Sequence, residues 1–516
     1  METDYDVVVI GSGIGGLTSA VLLAKIYNQK VLVLEQHFEP GGQTHEFMRI
    51  KDGIKYHWDV GVHYLGEMKQ GLMSRRVFDF ITDGEVEWNK MHDPHDVFHY
   101  PGLKFGQNSN PEKFKSDLIA LFPAEKTAIN NYFKDIKKAA SWFRSYLISS
   151  MIPIKALSKL IRMKNESFAL STTQSYLDSN FRDERLKAIL TSIWGDYGVP
   201  PSKSAFVIHS IVIRSYLYGG YFPAGGASSI AKSMIKIIEN RGGKVLCNKK
   251  VDKILIKDNK AIGVEVNTKK GTETYFGDKI ISDAGAYNTF ARLLPEDFSA
   301  KKSISFPVSD IGFSCNTLYI GLKESPEKLG IKGQNLWIFK EFDHNNNYKE
   351  SLTSDTISSA FISFPSLKNP YATSHTMEII SFSHYEKFKK WESTDWKKRG
   401  EEYESFKNEI SLKMLDLAEE NIPGIKNLVN YFELSTPLSM KHFTGWEGGS
   451  FYSFPATPDR FKNKAFRAKT PLKNLYLTGT DAGMIGVLGA MYGAVFSTIK
   501  MKGLISFFKI MSLVSK

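Results

Sequence analysis

Cysteine is almost absent: two residues, Cys247 and Cys315, in a chain of 516. That excludes a disulfide framework and points to a reducing compartment. Zinc-type spacings are missing as well. His92, His95 and His99 lie close in sequence, but His-Asp-Pro-His and Phe98-His99-Tyr100-Pro101 read as turn and strand, with no cysteine and no helical i, i+4 pair, so no metal site is expected. The chain has no G-x-S-x-G elbow for acyl chemistry and no basic arm or RNA-binding signature, so nucleic acid is not an expected partner. No internal repeat or low-complexity linker marks a boundary. Residues Met1 to Asp6 are acidic and run straight into an apolar stretch, unlike a secretory leader. Long apolar runs are also scarce. The uncharged stretch Ala482 to Ile499 is too rich in glycine for a membrane span, and a buried helix is expected there.

What is present is a globular composition, 42% hydrophobic, with 67 basic against 55 acidic residues and a net charge of +12. Such a balance favours anionic surfaces such as lipid headgroups and says nothing about fold. The length exceeds what one core holds, so two or three domains are expected. The most informative stretch is VVVIGSGIGGLTSAVLLAK, residues 7–25. Val7 to Ile10 reads as a buried parallel strand, and Gly11-Ser12-Gly13-Ile14-Gly15-Gly16 as a GxGxxG turn entering a helix over 17–26. Glycine there permits the tight turn, the approach of a pyrophosphate and close packing of helix on strand. The helix N-terminus offers unpaired N–H groups and a partial positive charge to the phosphates. A second strand, Lys30 to Leu34, ends in Glu35, 19 residues after Gly16, where a carboxylate accepts hydrogen bonds from a ribose.

Further landmarks follow. Glu35 leads into Gln36-His37-Phe38-Glu39-Pro40-Gly41-Gly42-Gln43-Thr44, and Leu475-Tyr476-Leu477-Thr478-Gly479-Thr480-Asp481 delivers a second glycine and acid before a glycine-rich helix. Gly242 to Val245 and Val251 to Ile254 read as a hairpin-like return, and Ile280 to Ala286 as another strand with a small-residue end. Only one GxGxxG is present. In Phe222-Pro223-Ala224-Gly225-Gly226 the proline and aromatic run do not make the buried strand that a second dinucleotide site needs.

Taken with Asp59-Val60-Gly61-Val62-His63-Tyr64-Leu65-Gly66, Tyr221-Phe222-Pro223-Ala224-Gly225-Gly226 and Ser282-Asp283-Ala284-Gly285-Ala286, these segments resemble the phytoene-desaturase-like flavoproteins, in the branch of carotenoid isomerases and retinol saturases. The matches run from residue 7 to about 500. The resemblance implies FAD, with Gly11, Ser12, Gly13, Ile14, Gly15, Gly16, Glu35, Gln36, Gly41, Gly42, Gln43, Thr44, Val251, Gly479, Asp481, Gly486 and Val487 as its binding residues. It implies an α/β fold: a Rossmann-like FAD-binding domain from residues 1–75, 220–300 and 465–500, an inserted α+β substrate domain from 76–219 and 301–464, and an amphipathic tail at 501–516. Thr480 stands where the family commonly has Gln, which bears on substrate and reaction direction.

The implied activity is an oxidoreductase acting on C=C bonds of an apolar polyene such as a retinoid, carotenoid or other isoprenoid, with saturation preferred over desaturation or cis–trans isomerisation. NAD(P)H is expected at most as a transient electron donor. Hydride chemistry at a polyene needs a flat apolar slot and one proton relay, for which His63, Tyr64 and Glu447 are the candidates, with Trp446 as pocket wall. Two other readings share the fold: an amine oxidase with Trp446 and Tyr452 as an aromatic cage, and a prenyl-binding module like the GDP-dissociation inhibitors, against which the intact glycine turn argues. Segments 141–164 and 501–516 mix apolar residues with Lys and Arg, as a monotopic surface does. A peripheral location on the cytoplasmic side of a membrane is therefore expected, with the oligomeric state left open.

Overall fold

The computed structural model describes residues 4–152, 154–296, 298, 314–463 and 465–515. Pro153 of the basic segment, Lys516 of the tail and Met1 to Thr3 lie outside the described residues, as does part of the stretch that opens the second substrate segment.

Strand β1 (Tyr5–Ile10), helix α1 (Ile14–Tyr27) and strand β2 (Val31–Leu34) form the first unit. Val7 to Val9 and Val31 to Val33 are wholly buried, as strands covered on both faces must be, which is why both read as unbroken apolar runs. The sheet around them orders its strands as 253–257, 260–268, 271–282, β1, β2, 244–246, with 475–477 added beside 271–282. Pairing is parallel from 475–477 through 271–282, β1 and β2 to 244–246. The strand Gly271–Ser282 serves twice. Its first half belongs to an antiparallel meander with 260–268, and its second half runs beside β1.

The expected hairpin over 242–254 is not formed. Residues 244–246 pair with β2 at one edge of the sheet, whereas 253–257 pair with 260–268 at the other. Both segments carry strand-like patterns with a turn between them, so the local sequence could not distinguish a hairpin from a passage between the two edges of the sheet.

Helix α1 is buried over nearly its whole length and packs against helices Ser228–Glu239 and Gly486–Lys502. The second of these is the glycine-rich stretch expected to be a buried helix; its small residues Gly489, Ala490, Gly493 and Ala494 are buried. Among the described residues no helix is long and apolar enough to cross a membrane.

The second large sheet has seven strands in the order 429–435, 314–322, 375–383, 359–363, 335–339, 96–100, 103–107. It is antiparallel except where 335–339 runs parallel to 96–100. A helical layer that includes Lys126–Met151 and Phe206–Tyr216 joins it. The hairpin Glu46–Lys51 and Ile54–Asp59 links the second sheet to the start of helix Ser228–Glu239: Trp58 Nε1 donates to the Ile320 carbonyl at 3.1 Å, and Asp59 Oδ1 accepts from the Ala227 N–H at 2.6 Å.

Candidate functional site

The turn after β1 closes on itself through side chains brought from three places. The Glu35 carboxylate accepts from the Ser12 N–H at 2.8 Å and the Ser12 hydroxyl at 2.7 Å through one oxygen, and from the His37 N–H at 2.8 Å through the other. Gly41 N–H donates to Ser12 Oγ at 3.1 Å, and the Thr44 hydroxyl donates to the Gly41 carbonyl. Gly41 and Gly42 are thus held beside the first turn. Lys249 N–H donates to the Glu35 carbonyl at 2.7 Å and Asn248 N–H to the His37 carbonyl at 3.0 Å, so the chain leading to Val251 runs alongside Glu35. Gln36 reaches the Phe443 carbonyl and Gln43 the Phe451 carbonyl. Gly486 opens its helix with φ +77°, and Val487 packs against the α1 core.

Gly15 and Gly16 show why the turn tolerates no side chain. A Cβ on Gly15 would overlap the Gly479 backbone and the Asp283 carboxyl, and one on Gly16 would overlap the Gly11 carbonyl. The segment around Gly479 therefore abuts the first turn of α1. Asp283, at the end of strand 271–282, takes the place an anion prefers at a helix N-terminus, with Oδ2 accepting the Gly16 N–H at 2.8 Å. Burial lifts its carboxyl to about 8; the Gly16 N–H opposes the shift, and the Glu35 and Asp481 charges add to it. Both oxygens of Asp481 are engaged by the protein: Oδ2 accepts the Ala286 N–H at 2.7 Å, and Oδ1 accepts from Ser453 at 2.8 Å and lies 3.4 Å from Arg460.

A second polar cluster lies where the Asp59–Gly66 loop meets the antiparallel sheet. His63 Nδ1 is 2.7 Å from Glu378 Oε2; Glu378 stands on strand 375–383 and is wholly buried. Among the described residues His63 Nε2 and Glu378 Oε1 have no hydrogen-bond partner. Lys368, 2% exposed, donates to the His63 carbonyl at 2.9 Å, the Asn335 side chain at 2.5 Å and Ser363 Oγ at 2.7 Å. Burial pushes its ammonium down to about 7, against the pull of the Glu378, Asp96 and Asp59 carboxylates. Tyr64 donates to Asp196 at 2.8 Å and stacks on Tyr216 at 4.4 Å. Burial, reinforced by Asp196, holds the Tyr64 phenol well above its ordinary range, so it stays protonated. Phe361 completes an aromatic wall, 5.5 Å from His63 and 4.6 Å from Trp337.

The structure thus brings His63 and Tyr64 into one aromatic-walled cluster and leaves Glu447 out of it. Glu447 is tied in ion pairs to Arg292 and to Lys441, groups that join none of the His63 partners. Trp446 packs on Gly285, whereas Tyr452 stacks edge-on with Phe451 at 4.9 Å, so the two aromatics expected to form a cage sit in separate clusters. Sequence reasoning missed Glu378, Lys368 and Asp196. Each is a lone polar residue in an apolar setting, and no spacing links it to His63. Asp283 was visible within its motif but carried no assigned role. Of the three histidines, His95 and His99 are buried and His99 faces Asn421; among the described residues no three potential ligands cluster.

Comparison with known proteins agrees with this architecture. The family profile for an NAD(P)-binding Rossmann-like domain matches residues 9–81. All-trans-retinol 13,14-reductase of Danio rerio is 34% identical over 524 aligned positions, covering 95% of this chain and 85% of the relative. Prolycopene isomerase 2 of an Oncidium hybrid is 28% identical, covering 92% and 80%. Among solved structures, cyclohexylamine oxidase of Brevibacterium oxydans superposes with a TM-score of 0.60 at 15% identity, covering 98% of this chain and 99% of that one, which shows the shared fold. The chain is an oxidoreductase of the phytoene-desaturase-like flavoprotein family, in the branch of the all-trans-retinol 13,14-reductases and prolycopene isomerases.

Proposed function

We propose that the protein is an FAD-dependent reductase that saturates a C=C bond of an apolar polyene of the retinoid or carotenoid class, working at a membrane surface. The observation that supports it most directly is the His63–Glu378–Lys368 cluster behind an aromatic wall. It supplies a buried imidazole nitrogen beside aromatic rings, and polyene reduction requires such a proton-exchanging group.

The residues around the first turn suit a dinucleotide. The opening N–H groups of α1 have no acceptor within the helix, a side chain on Gly15 or Gly16 would force the turn away from Gly479, Asp283 or Gly11, and Glu35 presents a carboxylate at the end of β2 for a ribose. A neutral Asp283 at this turn adds no negative charge against a pyrophosphate. Gly11 to Gly16, Glu35, Gln36, Gly41 to Thr44, Val251, Gly479, Asp481, Gly486 and Val487 are the residues proposed to hold or frame it, with Asp481 acting through Ala286 and Arg460. Bound in its reduced form, FAD supplies the hydride that goes to one carbon of the double bond.

The chain's own task is the proton for the other carbon. Glu378 accepts from the His63 Nδ1–H and fixes the tautomer, which leaves Nε2 as the nitrogen that exchanges a proton. Lys368 ties the His63 carbonyl to strands 335–339 and 359–363, so the loop holds its position through the cycle. Tyr64, anchored to Asp196, belongs to the aromatic wall and is not the proton donor, because its proton is committed to the Asp196 carboxyl. With one GxGxxG, reducing equivalents come from a transiently bound nicotinamide, another protein or a quinone.

The test is a visible spectrum of the purified protein, reduced without oxygen and mixed with all-trans-retinol. Reoxidation of the flavin with loss of one C=C bond in the product is expected. Reduced flavin that persists while the polyene changes only its cis–trans geometry would assign the isomerase chemistry of the plant relatives instead.

A further inference from the structure

A cavity of about 230 Å³ opens between helix Lys126–Met151 and helix Gly486–Lys502. It is set apart from the glycine turn: none of Gly11 to Gly16 or Gly41 to Thr44 lines it, and Ala482 and Gly483 form one wall. Four cationic side chains converge on it, Arg460, Arg467, Lys469 and Lys500, and among the described residues no carboxylate lines it. Arg460 is already committed to the Thr480 carbonyl and Asp481. The other three have no ion pair among the described residues. Arg467 donates to the Tyr146 hydroxyl at 2.5 Å and lies 5.1 Å over its ring, and Lys500 donates to the Ser150 carbonyl. Burial first, then Lys469 and Arg467, pushes the Lys500 ammonium below its ordinary range.

Three uncompensated cations sharing one recess repel one another, and a multiply charged anion removes that cost. Beside the recess, exposed aliphatic side chains stand among basic ones. Leu147 and Ser150 line the cavity, and the same helix then exposes Ile148; Ile154, Leu157 and Leu160 follow, the last 68% exposed. Exposed aliphatic residues at the mouth of a cationic recess match a molecule with a phosphate at one end and acyl chains at the other.

We infer that the Arg467–Lys469–Lys500 cavity binds the phosphate of an anionic membrane lipid, whose acyl chains lie along the exposed side chains of Ile148, Ile154, Leu157 and Leu160. This rests on the membrane-surface reading proposed above, and two sets of variants separate the two ideas. Binding of the flavin-loaded protein is measured against vesicles of phosphatidylcholine alone and of phosphatidylcholine with phosphatidic acid. At about fivefold per cation, the triple variant Arg467→Gln, Lys469→Gln, Lys500→Gln loses about a hundredfold of the preference for phosphatidic acid and keeps its flavin. Leu157→Ser with Leu160→Ser weakens binding to both vesicles and preserves their ratio; no weakening there overturns the placement of the acyl chains and the membrane contact of this face, whereas the phosphate preference is read from the cation variant.

A charge-matched control, Lys340→Gln, Lys349→Gln, Lys398→Gln, keeps the preference. If the control loses it equally, or the cavity variant retains it, the proposal is overturned. Titration with inorganic phosphate separates the sources. Binding that needs the three cations, without any vesicle preference, assigns the cavity to a soluble phosphate and overturns the lipid.

Discussion

The glycine turn and the His63 cluster are built in opposite ways. Around the turn, Gly11 to Gly16, Glu35 and Gly41 to Thr44 come from one stretch of fewer than forty residues, and a single βαβ passage sets their geometry. His63, Asp196 and the Lys368–Glu378 stretch are three distant parts of the chain, and they meet because the Asp59–Gly66 loop docks on the antiparallel sheet. The first region fails when a backbone approach is blocked. The second fails when any one of several buried polar partners is removed.

The largest effect is expected at the turn. Gly15→Val drives a side chain into Gly479 and Asp283, and the purified variant should be colourless, with flavin per chain falling from near one to near zero by absorbance. Stoichiometric flavin in that variant would show that the turn does not hold the cofactor. Next comes the cluster. His63→Gln should lower turnover by roughly 10²- to 10⁴-fold with flavin content unchanged, and Glu378→Gln should lower it less while moving the pH profile. An equal loss of flavin in either variant would merge the two regions into one.

Two pH effects sharpen the contrast. Asp283 is neutral below about 8 and ionises above it, placing a negative charge against the pyrophosphate. Flavin retention should therefore fall as pH rises past 8 in the wild type and stay flat in Asp283→Asn, read by fluorescence of released flavin. Lys368 titrates near 7 in the folded chain but at 10.5 in its ordinary state. Between those values the unfolded chain binds more protons, so this group makes stability rise with pH, by at most about 1.4 kcal/mol per unit. Below 7 its full penalty is present. Denaturant titrations of the wild type and Lys368→Met at pH 7 and 9 should differ by this slope.

The smallest effect is at the tail. Helix Ile505–Val514 buries Ser506, Ile510 and Val514 but leaves Ile505 83% and Phe508 66% exposed. Truncation would uncover core, so Ile505→Ser with Phe508→Ser is the cleaner variant, expected to reduce vesicle co-sedimentation modestly.

This contrast also explains what the sequence revealed. The strand, turn, helix and acid of residues 7–35 were legible because each carries a local signature, and the glycine-rich helix near the C-terminus was recognised as buried for the same reason. The 242–254 segment was misread because a turn between two strand-like patterns does not say which neighbour each strand pairs with. His63 and Tyr64 were found through a motif. Glu378 and Lys368 were not, since a lone acid on an apolar strand looks like an edge residue until the histidine opposite is known. Glu447 illustrates the converse: a glycine-flanked acid suggested chemistry, and its neighbours Arg292 and Lys441 make it a surface ion pair, a type of contact worth little on its own.

The measurement that tests the account most directly is the rate at which all-trans-retinol reoxidises the reduced flavin, compared without oxygen in wild type, His63→Gln and Glu378→Gln at equal flavin load. The account predicts rapid reoxidation in the wild type, a rate at least a hundredfold lower in His63→Gln and an intermediate one in Glu378→Gln. Equal rates in all three proteins would contradict it and remove the His63 cluster from the chemistry.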